Sequence, residues 1–229
     1  MRGIWLGWVA VTVGHGVADA GPWGLEPGEA YGRLALAAEE VNGLSARRYD
    51  AYTEIGLPLS LTLSAKAEQV QFPDAQDFNA EGYRATLRRE VWSRETVKVA
   101  AEVGAVYGAA IGGVRGCDQL GAELRVTSGA SGRWDGAHWY AFADIATRIH
   151  AQDCWRDRLE FGAGQEIYRN LYITNQVWLE RGSEEERSAK IETGLMYRFE
   201  KVDVSLSVRE ELSGRFDETG VVISVARRF

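Results

Sequence analysis

Beyond residue 20 the sequence has no stretch approaching the roughly 20 apolar residues that a helix needs to cross a bilayer, so a helical membrane protein is excluded past the N-terminus. It has no basic excess either. Lys and Arg number 26 against 33 Asp and Glu, a net charge of −7, and a general nucleic-acid binder would need a basic face. There are 4 prolines and 2 cysteines in 229 residues. Two cysteines allow at most one internal bridge. No Cys or His cluster has metal-ligand spacing, so no metal and no other cofactor is expected.

Glycine is abundant at 26 residues, and 8 Trp and 9 Tyr are many for this length. Many strands joined by glycine-bearing turns fit this balance, and the aromatics suit a protein with two membrane–water interfaces. Met1–Ala20 reads as a signal peptide: Arg2 gives a positive start, Ile4 to Val13 an apolar run, and Ala18-Asp19-Ala20 a small-x-small cleavage site. The alternative is a buried element of the fold. On the first reading residues 21–229 form one domain, exported to an oxidising compartment where Cys117 and Cys154 can bridge.

After Gly21 the apolar residues alternate with a period of two. Leu59, Leu61, Leu63 and Ala65 oppose Ser60, Thr62, Ser64 and Lys66. Val97, Val99, Ala101 and Val103 oppose Lys98, Ala100, Glu102 and Gly104. Twelve such segments are expected, at 29–38, 48–57, 59–69, 82–91, 96–108, 117–127, 137–150, 156–168, 171–180, 188–199, 202–212 and 218–229. Longer polar connections are expected at 39–47, 70–81, 109–116, 181–187 and 213–217. Tight ones are expected at Pro58, Ser93–Glu95, Arg169–Asn170 and Glu200–Lys201. Two connections break the rhythm, a long one at 128–136 and a short one at 151–155. The alternation of long loops and short turns is that of bacterial barrels, with both termini on the periplasmic side.

The polar parity of these strands carries charge at mid-strand, where a soluble barrel would bury its inner face and exclude charge. Arg84, Lys98, Glu102, Glu123, Arg125, Asp144, Arg148 and Arg198 are therefore the expected lining of a wet lumen. Aromatics cluster near the ends of the apolar faces, among them Tyr49, Tyr83, Trp139, Tyr197, Phe199 and Phe229. A soluble periplasmic β protein is the competing reading of the alternation.

The last segment sets Thr219, Val221, Ile223, Val225 and the terminal Phe229 on one parity, with Arg227 as the exception. A final strand ending in an aromatic resembles the C-terminal signal of bacterial outer-membrane β-barrels. That resemblance implies an all-β, antiparallel up-and-down transmembrane barrel of about twelve strands. It also implies the outer membrane of a Gram-negative cell, lipid and lipopolysaccharide as neighbours, and recognition of the Phe229 strand by the barrel-assembly machinery. The hairpin rhythm and the Gly-rich acidic composition also look like the barrels grouped with the phenol-degradation meta-pathway transporters.

Three functions compete. The lining charges point to passive diffusion of small polar or ionic solutes. A lumen plugged by Arg–Glu pairs would instead make a non-transporting structural or adhesion barrel. A lipid-modifying enzyme would need His138 or His150, but Asp144 lies six residues from each, too far along one strand to orient either ring. Cys117 and Cys154 form a structural disulfide or remain two thiols. Gly112–Gly116 lacks the strand-to-helix context of a phosphate loop, and Glu184–Arg187 reads as a solvated loop tip.

Overall fold

The computed structural model describes residues 23–108, 119–151, 154–183 and 186–229. The expected signal peptide, the connection 109–116, Cys117, the Gly112–Gly116 loop and Glu184–Glu185 lie outside them.

Twelve strands follow one another: β1 (Ala30–Val41), β2 (Leu44–Leu57), β3 (Leu61–Gln71), β4 (Ala80–Arg94), β5 (Val97–Gly108), β6 (Gly121–Trp134), β7 (Ala137–His150), β8 (Trp155–Tyr168), β9 (Leu171–Gly182), β10 (Arg187–Arg198), β11 (Val202–Gly214) and β12 (Glu218–Arg228). Each pairs antiparallel with its sequence neighbours, and β12 pairs with β1 to close a barrel. Closure gives every strand two partners and leaves no edge. Phe229 completes the seam: its N–H donates to the Ala30 carbonyl at 2.8 Å, and the Ala30 N–H returns the bond at 3.3 Å.

The expected fold class stands, and each of the twelve expected segments overlaps one strand, the sixth beginning only at Gly121. Two connections are corrected. Residues 39–47 are not a long loop, because β1 and β2 run on to a two-residue turn at Asn42-Gly43. Residues 128–136 likewise shrink to Asp135-Gly136. Both dipeptides have positive φ at both positions (51° and 78°; 49° and 82°), the mirror-image turn that matches strand twist and that Asn-Gly and Asp-Gly favour. The flanking polar residues resemble loop in the sequence because they extend the strands past the apolar zone.

The outward parity is apolar and bare. Leu34, Val103, Leu124, Leu206 and Ile223 are each about half exposed or more. Bulges at Glu90/Trp92 and Glu166/Tyr168 turn two successive residues outward at the rim, Val91 with Trp92 and Ile167 with Tyr168. With Trp134, Phe199 and Phe229 they make an aromatic belt at the end carrying the short turns and the chain termini. Tyr83, Tyr107 and Trp155 stand at the opposite, longer-loop end. Arg227, the exception in the last strand, is also outward and lies over the Phe229 ring at 4.8 Å. The inside is polar, the inverse of a soluble barrel. Such an exterior is stable against hydrocarbon rather than water.

Candidate functional site: the barrel interior

Because side chains alternate, one parity of every strand converges on the interior. There charges of both signs pair along the wall. Arg48 on β2 reaches Glu39 at 2.8 Å, Glu218 at 3.5 Å, and Glu68. Lys190 on β10 joins the same cluster through Glu218, and Arg209 on β11 joins it through Glu39 at 3.3 Å. Lys66 extends it, lying 2.7 Å from Asp50 and 2.8 Å from Glu68. A second cluster centres on Glu123, which holds Arg84 at 3.4 Å and Arg125 at 3.2 Å and pairs with Arg148; Arg125 also meets Asp144 at 3.1 Å. A third joins Arg156, Arg158, Glu160 and Glu180. Buried charges need such partners, and several bonds skip a strand: β2 to β12, β10 to β12, β4 to β6.

Between these walls lies a cavity of about 260 Å³. Among the described residues, nine Arg and Lys and nine Asp and Glu line it, so its lining is neutral in sum. One side carries rings instead. The rings of Tyr140 and Phe142 occupy the space over Gly164 and Gly162, where a Cβ would collide with them. The guanidiniums of Arg158 and Arg209 both lie over the Trp178 ring, at 5.8 and 5.3 Å from its centre.

At the terminus-bearing end a short strap, residues 23–29, turns into the barrel mouth. Leu25 is buried with Tyr31, Tyr52 and Ala226. Trp23 packs on Tyr140, Tyr172 and Met196, which come from strands on the far side of the sequence. The Leu25 N–H donates to Thr62 Oγ1 at 3.3 Å, the Gly28 N–H to the Gly56 carbonyl at 3.0 Å, and Arg88 to the Trp23 carbonyl at 3.4 Å. Gly56 is needed here, because any Cβ would run into the Leu25 and Glu26 backbone.

Of the eight expected lining residues, Arg84, Glu102, Arg125 and Asp144 face the cavity. Glu123 and Arg148 are inward but locked in ion pairs, with side chains almost wholly buried. Lys98 and Arg198 stand near the short-turn mouth, paired with Glu90 at 2.9 Å and Asp203 at 3.0 Å. Sequence reading did not single out Arg33, Arg48, Asp50 or Arg209, although they share the inward parity that identified the others. The strap was also missed, since seven residues without periodicity carry no signal. His138 accepts from Arg133 at 3.1 Å through ring Nε2, and its backbone N–H donates to Glu166 at 3.1 Å; the ring of His150 meets the Gln119 carbonyl at 2.8 Å. Cys154 lies just before β8, where Ser183 Oγ donates to its Sγ at 3.3 Å.

No protein-family model matches the sequence, and no curated protein matches it. Solved structures do match. The barrel is similar to the NanC porin, with a TM-score of 0.65 and 9% identity over 85% of this chain and 98% of that one. It is similar to the KdgM porin, with a TM-score of 0.61 and 8% identity over 86% and 99%. It is also similar to an outer membrane channel from Pseudomonas putida F1, with a TM-score of 0.56 and 11% identity over 93% and 100%. At these identities the likeness is one of fold.

Proposed function

We propose that the chain is a membrane-spanning channel that passes small polar or ionic solutes by diffusion through a narrow, charge-balanced lumen. The observation that carries this reading is the inversion of polarity: an apolar outside around a cavity lined by equal numbers of cationic and anionic side chains. Charged walls replace part of a solute's hydration, and matched signs keep any one ion from being held too tightly to leave. No cofactor takes part. The proposal extends to an outer-membrane location with periplasmic termini, delivery by the Met1–Ala20 signal peptide, assembly through the Phe229 strand, and a Cys117–Cys154 bridge between loops.

The strap favours a second reading, a plugged barrel serving as an anchor or adhesion surface, because Trp23 and Leu25 pack into the terminus-bearing mouth. Ion selectivity tests the first. A balanced lining predicts a reversal potential near zero in a salt gradient. Arg84→Gln with Arg125→Gln leaves the lining net negative and shifts selectivity toward cations. Unchanged selectivity in a conducting double variant would count against this lumen as the path.

A further inference from the structure

One feature of the outward face is unlike the rest. Arg181 on β9 and Arg187 on β10 are directly opposite each other across the strand pair, and both point outward at the longer-loop end. Like charges set directly opposite destabilise a sheet unless a counter-charge joins them. Asp157 supplies half of one. Its Oδ2 receives Arg181 Nε at 3.1 Å and Nη2 at 2.9 Å, while Oδ1 accepts from Thr147 at 2.8 Å. Among the described residues no carboxylate pairs with Arg187, and Glu186 beside it is held by Arg215 at 3.5 Å.

The setting is amphipathic. One step toward the barrel waist from Arg181, the outward residues Leu159 and Leu179 are paired across β8 and β9, and Phe161 and Val177 follow. One step toward the loops from Asp157 is Trp155, over whose ring Arg181 lies at 5.9 Å. Cations and an indole above a strip of apolar side chains are placed where a bilayer has its headgroups and then its chains.

We propose that Arg181 and Arg187 clamp the phosphate of a lipid headgroup in the leaflet facing the longer loops, with the acyl chain lying along Leu159, Leu179 and Val177. The inference rests on the membrane-spanning reading of the barrel. A phosphate offers oxygens to both guanidinium forks at once and removes the repulsion that the register imposes.

Retention of bis-phosphorylated lipid A by the full chain in detergent, read by native mass spectrometry, tests it. The wild type should retain one lipid A that millimolar inorganic phosphate does not displace. Arg181→Gln with Arg187→Gln should retain about tenfold less, the fold-change that corresponds to losing charged hydrogen bonds. Asp157→Asn should retain more, because it releases Arg181; a folding defect would not produce that sign. Equal retention by the double variant would overturn the proposal. Displacement by inorganic phosphate, or equal retention of dephosphorylated lipid A, would also overturn it. Conductance of the same variants keeps the readings apart: a conducting barrel without lipid preference loses only this site, and a silent barrel that discriminates loses only the channel.

Discussion

Arg48 shows what one residue does in this interior. Its guanidinium serves Glu39, Glu68 and Glu218, on three other strands, so its loss takes a cation from three buried carboxylates at once and leaves each with a single one, Arg209, Lys66 and Lys190. Breaking a buried pair by removing one partner costs about 3–5 kcal/mol. Arg48→Met should therefore lower the urea midpoint of the barrel in liposomes substantially, whereas Lys98→Met, whose pair with Glu90 is about one-third exposed, should leave it within about 1 kcal/mol of wild type. Equal midpoints for the two variants would mean that the remaining cations, Arg209, Lys66 and Lys190, suffice for those carboxylates without Arg48. The parity of Arg48 was legible in the sequence and its partners were not. Alternation tells which face a residue takes, while the bond to Glu218 depends on β12 closing against β1, a contact 170 residues away in the chain.

Among the elements, the strap carries the sharpest consequence. Its side chains add nothing to the sheet, yet Trp23 bridges to Tyr140, Tyr172 and Met196 across the mouth. Trp23→Gly with Leu25→Gly should raise unit conductance, and Gly56→Val should do the same by evicting the Glu26 backbone without altering either apolar side chain. Unchanged conductance in both variants would show that the narrowest point lies elsewhere. The last strand predicts a kinetic effect. Deleting Phe229 removes the paired bonds to Ala30 that finish the seam, and the yield of heat-modifiable folded barrel in cells should fall; normal yield would remove Phe229 from assembly. Strands were readable because a period of two persists over eleven to fifteen residues. The turns at Asn42-Gly43 and Asp135-Gly136 were misjudged because polar strand ends look like loop, although the dipeptides themselves announce tight turns.

At the scale of the whole molecule, architecture follows from one constraint: backbone groups surrounded by hydrocarbon must all be paired, and a closed sheet pairs them. Twelve strands make a barrel narrow enough for side chains to occupy much of it, and here they do so as matched ions that leave about 260 Å³. That balance fits a path for small solutes better than a wide pore, and the strap narrows one end further. Single-channel recording of the full chain without its first 20 residues, refolded and inserted in a planar bilayer, tests this most directly. Discrete, reproducible steps of small unit conductance with weak ion selectivity are predicted. Silence from protein whose circular dichroism reports a folded β barrel would contradict the channel and leave the strap as a permanent plug.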